Sequence, residues 1–163
     1  MFRIRTVAAL AAALVGMTGC AAAQGERESV GEHVVGYRQD VSGSEWVGEV
    51  DLPSALVLES ESDIQEWVGT LQDADPALFD PLFQVDLTEN FLIVGGYPRC
   101  TEHSSIVLAG DGGEMVFEVT APESTTMCAW SPYTIDVWAV PLSHTDGTPP
   151  GFVPIVHDQN PQD

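Results

Sequence analysis

The stretch from residue 91 to residue 142 limits the fold more than any other part of the chain. It reads as apolar segments cut by turn signals: "FLIVGGY", "SSIVLAG", "EMVFEVTA" and "YTIDVWAVPL". In the third, Met115, Phe117 and Val119 alternate with Val116, Glu118 and Thr120. In the fourth, Ile135, Val137 and Ala139 alternate with Asp136 and Trp138. A period of two is the period of a strand. "FLIVGGY" offers no polar side to water, so it predicts a strand central in a sheet. "DGGE" between the second and third segments is a turn signal. "FVPIVH" predicts a last edge strand, because Pro154 cannot donate to a ladder on both sides. Strands about ten residues apart predict an antiparallel β-sandwich or rolled sheet, mainly β within the α+β class.

One packed helix is expected upstream. Ser62 is a suitable N-cap, Asp63 falls in the first turn, and Gln65 completes a capping-box spacing. Ile64, Trp67, Val68 and Leu71 then share one apolar face. Before it, "HVVGYRQDV" and "SEWVGEV" predict a pair of strands around an "SGS" turn, and "SALVLES" predicts another strand. "DPALFDPLF", with two prolines, predicts a helical turn or a structured loop. The whole of residues 33–158 reads as one β-rich domain, which suits a chain of 163 residues.

The opening has a different character. Arg3 and Arg5 precede an apolar run at residues 7–17, followed by Thr18, Gly19 and Cys20. The run is far short of the ~20 residues that span a bilayer, and the pattern is that of a secretory signal peptide. "MTGC" resembles a bacterial lipobox, in which cleavage precedes a cysteine that is then acylated; Met17 replaces the usual Leu. This predicts a signal peptide at 1–19, lipidation at Cys20, and a cell-membrane protein on the extracytoplasmic side. The alternative is an ordinary cut after Ala23, which discards Cys20. Cysteine counting bears on the choice. There are three cysteines, and if lipid uses Cys20 then Cys100 and Cys128 remain as a disulfide pair, as expected in an oxidising compartment. Closing a loop of that length stabilises the fold by ~3–4 kcal/mol on the chain-entropy model. Residues 20–32 are small and polar and read as a flexible tether.

Charge removes whole classes of partner. The chain holds 25 acids against five basic residues, all of them arginine. Once the leader is cut, those acids face only Arg27, Arg38 and Arg99. Nucleic acid is excluded as a partner, and electrostatic docking on anionic lipid is equally disfavoured. Self-repulsion on this scale is relieved by salt, as the Debye length falls from ~10 Å at 0.1 M to ~3 Å at 1 M. A high-salt habitat and a genome that simply avoids lysine both account for it.

No constellation specifies a reaction, and the chain is expected not to be an enzyme. His33, His103, His144 and His157 lack the spacing of a helical zinc site, so no metal is expected there. "TEHSS" sets His103 beside Ser104 and Ser105, which would matter for hydrolysis only with a converging carboxylate and an oxyanion hole. Asp73, Asp75, Asp80 and Asp86 supply oxygen for Ca²⁺ but not at EF-hand spacing. No cofactor is implied. "GGYPRC" stands out. Arg99 must be held by some carboxylate, in this molecule or in another. If in another, Tyr97 and Arg99, with Trp130 and Tyr133 from "AWSPY", form a partner-binding patch of residue types enriched at hot spots. If not, an internal ion pair and ordinary sheet packing account for all four.

The order helix, "VDLTENFLIVGGY", "DGGE", "MVFEVTAP" and "SPYTIDVWAVP" resembles the PrcB-like domain family, named for a lipoprotein that stabilises a surface protease complex. The resemblance spans about residues 62–142, and the two cysteines are an addition to the family core. It carries no catalytic residues and implies a binding or stabilising role, with a surface protease or envelope component as partner. The alternatives are a small-molecule or calcium-binding surface sensor and, further off, a hydrolase.

Overall fold

The computed structural model describes residues 27–109, 113–122 and 128–158. The expected signal peptide, Cys20 and most of the expected tether lie outside the described residues. Eight strands are described: β1 (Glu28–Val30), β2 (Glu32–Arg38), β3 (Leu56–Leu58), β4 (Asn90–Pro98), β5 (His103–Ala109), β6 (Glu114–Thr120), β7 (Tyr133–Pro141) and β8 (Ile155–Asp158). They form two sheets, ordered β1-β5-β6-β8 and β2-β7-β4-β3. The helix α1 (Glu61–Thr70) joins three-residue to five-residue 3₁₀ turns in a third layer.

The β2-β7-β4-β3 sheet lies in the middle of the molecule. On one side Leu92, Val94, Ile135 and Val137 pack with Ile64 and Trp67 of the helix. On the other, Phe91, Ile93 and Tyr97 pack with Ile106, Phe117 and Val119 of the second sheet. Cover on both faces explains why β4 is an unbroken apolar run, buried from Phe91 to Tyr97. The expected sandwich is present, with a helical layer added to one of its faces.

Several local expectations are corrected. The helix starts two residues early, with Ser60 as N-cap. Asp63 N–H donates to Ser60 Oγ (3.2 Å), and Asp63 Oδ2 accepts from the backbone N–H of Ser60 (2.9 Å) and Glu59 (3.0 Å). Those bonds, Glu59's first, hold the Asp63 carboxyl below its ordinary range. Ser62 lies inside the helix. "SEWVGEV" is not a strand but a 3₁₀ turn, Glu45–Glu49. Trp46 and Val47 are adjacent and both buried, and a strand would send them to opposite faces. The tether ends sooner than residue 32, because β1 pairs with β5 and buries Val30. One sheet is not wholly antiparallel: β8 is an edge strand, as Pro154 requires, but runs parallel to β6.

Candidate functional site

Asp136 is the unusual residue of the central sheet. Its strand reads Ile-Asp-Val-Trp-Ala-Val, and the carboxylate is 3% exposed. A carboxylate buried this far must be matched by donors. Oδ2 accepts from the Tyr97 hydroxyl (2.7 Å) and the Ser104 hydroxyl (2.6 Å). Oδ1 lies 3.2 Å from His33 Nε2. Ser104 Oγ in turn accepts from Trp138 Nε1 (3.0 Å). Burial, followed by the Asp136 charge, pushes the Tyr97 hydroxyl well above its ordinary range, so it stays a donor.

Two backbone devices make room for this knot. Asp136 pairs across β7 with Gly36 on one neighbouring strand and Gly95 on the other. A Cβ at Gly36 would lie 2.6 Å from Asp136 Oδ1, and one at Gly95 would enter the Phe117 ring at 2.3 Å. Only glycine permits both approaches. A bulge then breaks the register of β2 between His33 and Val35. The extra residue turns His33 to the face that carries Asp136 and Trp138, where its ring meets Trp138 edge-on at 5.2 Å.

The knot floors a shallow depression of about 250 Å³, rimmed by His33, Arg99, His103 and Trp138. Arg99 follows the last residue of β4, and its backbone N–H donates to Pro132 O (2.8 Å). The next residue, Cys100, is disulfide-bonded to Cys128 with the Cα atoms 6.0 Å apart. Glu102, the acid nearest Arg99 in sequence, turns to its own loop and accepts from the backbone N–H of Cys100 and Thr101. Burial raises the Glu102 carboxyl and those backbone bonds lower it; the net shift is downward.

Among the described residues, Arg99 has no carboxylate within ion-pair distance. Arg27 pairs with Glu118 and Asp158, and Arg38 with Asp40. The internal ion pair expected at Arg99 is therefore absent there.

The four candidate partner-binding residues do not form one patch. Tyr97 is fully buried and belongs to the knot. Tyr133 points to the opposite face of the sheet, where its ring covers Gly96 and packs on the helical layer. Trp130 is 60% exposed, and Arg99 is partly buried at the rim. Two of the four are thus available to a partner.

His103 and Ser104 border the same depression, but Ser104 is hydrogen-bonded to Asp136 and Trp138 rather than to an imidazole. Asp136 lies between Ser104 and His33, so among the described residues no Ser–His pair is assembled. Asp75 and Asp86 cap local turns, accepting from Ala77 N–H and from Thr88. Among the described residues no three His, Cys, Asp or Glu side chains are placed to hold a metal ion.

A larger groove of about 590 Å³ lies beyond His33, between Glu32, Gln84, Asp86 and Pro141. It has no comparable convergence of buried donors. Sequence reading missed Asp136, Ser104 and His33 as a group. The available signal was an acid inside an otherwise apolar strand.

Comparison with family models, with curated proteins and with solved structures finds no match to this chain.

Proposed function

We propose that this is a lipid-anchored extracytoplasmic protein that binds and steadies a protein partner at the cell surface, a surface protease or envelope component among the candidates. The observation that carries the reading is the Cys100–Cys128 disulfide. It uses two of three cysteines, needs an oxidising compartment, and leaves Cys20, in its lipobox-like setting, for acylation. The same bridge fixes the loops that hold Arg99 and Trp130, so an exposed indole and a free guanidinium sit on a rigid frame. No catalytic role is assigned to any residue.

The anchor is tested by labelling with a palmitate analogue in a bacterial host. The parent should be labelled and sediment with membranes, whereas Cys20→Ser should be unlabelled and soluble. Retention of label in Cys20→Ser overturns the anchor. Partner binding is tested by cross-linking on intact cells. A specific adduct that disappears in Trp130→Ala, with folding unchanged, supports it; no specific adduct in the parent counts against it.

A further inference from the structure

We propose that the depression rimmed by Arg99, His33 and His103 is a receptor for a single carboxylate group, presented by the partner polypeptide as its C-terminus or as an Asp or Glu side chain. This rests on the partner-binding reading and names the chemistry of its contact.

The argument begins with charge. A chain with 25 acids surrounds every cation with prospective partners, and the other two arginines among the described residues have taken them. Arg99 has not, although two acids stand close. Glu102 is committed to its own loop backbone. Asp136 lies in the floor of the same depression, but its oxygens already face Tyr97, Ser104 and His33. The knot thus keeps the one neighbouring buried carboxylate from reaching up to the guanidinium. The Arg99 guanidinium lines the depression without an ion pair, and a planar fork of N–H donors is the group that takes a carboxylate in two parallel bonds.

The surroundings fit one small anion and little more. About 250 Å³ admits a carboxylate and a few carbons. His103 brings its imidazole to the rim, and Trp138 supplies an apolar wall. The backbone at Arg99 is tied down, because the disulfide follows it directly and the Arg99 N–H donates to Pro132 O, so little backbone ordering is required on binding. The rest of the molecule repels anions, so a carboxylate is accepted here and refused elsewhere, which gives selectivity of placement.

The test uses the full chain in detergent, titrated with sodium propionate in exchange for sodium chloride at constant ionic strength and followed by tryptophan emission. A saturable response is expected, weakened at least ~10-fold in Arg99→Gln, as loss of a charge-assisted contact requires. If Arg99→Gln folds poorly, Arg99→Lys keeps the charge without the fork, and a clear loss is still expected. A response identical to chloride, or one undiminished in both variants with parental melting curves, overturns the proposal.

Short peptides with a free or an amidated C-terminus, and with or without an internal Asp, form the second arm. Carboxylate-dependent peptide binding supports the polypeptide source. Propionate binding through Arg99 with no peptide binding keeps the carboxylate receptor and removes the partner polypeptide from it. A cell-surface adduct that persists in Arg99→Gln keeps the partner-binding function and removes the carboxylate contact from it.

Discussion

The central sheet presents two unlike faces. Toward the helical layer it meets a cage of rings: Tyr37, Trp46 and Phe79 lie within 5.5 Å of one another by centroid, and Trp67 stands 5.9 Å from Phe79. Toward the second sheet it carries Phe91, Ile93 and Phe117 but also a buried carboxylate with its donors. The first face is held mainly by apolar area and shape, with one hydrogen bond from the Tyr37 hydroxyl to Leu78 O (3.0 Å). The second gives up some apolar area for a polar cluster that opens to the surface at Arg99. A fully satisfied polar cluster specifies geometry, whereas an apolar cage supplies stability. The helical layer therefore reads as the source of stability and the inter-sheet face as the more closely specified geometry.

This contrast can be broken by substitution. The largest effect is expected from Phe79→Ala, which removes the fully buried ring on which the cage converges. Denaturant unfolding should show a loss of ~3–5 kcal/mol while carboxylate binding at Arg99 persists in the folded fraction.

Alkali should strain both faces together. Burial raises the hydroxyls of Tyr37 on one face and Tyr97 on the other. A raised folded pKa gives stability that is whole below the unfolded value near 10 and is lost as pH climbs beyond it. Each tyrosine should subtract about 1.4 kcal/mol per pH unit there. Phenolate absorbance from these two should appear only with unfolding, and ionisation of either in the folded protein at pH 10–11 would contradict their burial.

Asp136→Asn is expected to cost ~2–3 kcal/mol, since it weakens charge-assisted bonds from Tyr97 and Ser104. Unlike Phe79→Ala it should also alter binding at Arg99, and this split sharpens the difference between the faces. The smallest effect belongs to the helix start: Ser60→Ala should cost ~1 kcal/mol and Ser62→Ala much less, read by thermal melts. Part of the Ser60 effect should vanish in acid. The lowered Asp63 carboxyl gives stability present above its unfolded value near 3.8 and lost as pH falls through the folded one.

Much of the sheet architecture was legible because alternation is a local signal. Strands β4 to β7 fell where the apolar pattern set them, and Pro154 marked β8 as an edge. Its parallel direction was not legible, because direction depends on how the intervening segment travels. β1 was hidden because three residues with one buried valine carry no period. Ser60 and Ser62 look alike in sequence, and the reciprocal bonds between Ser60 and Asp63, with that from Glu59 N–H, decide between them.

The site was less legible. That Asp136 and Trp138 share a face followed from alternation. That Tyr97, Ser104 and His33 converge on Asp136 did not, because it needs one contact across the sheet, one between sheets and a bulge. Arg99 stood out by rarity of charge, which is a compositional signal and survives without any knowledge of the fold.

The clasp of Arg27 on Asp158 has a consequence for chain connectivity. It links the side chains of residues 27 and 158, which lie 131 positions apart. A short glycine-rich splice could close the backbone into a ring there, and new termini could be opened at the exposed bend around Gly147. Such a circular permutant is expected to keep both sheets and the helical layer, since neither change cuts a strand or the helix.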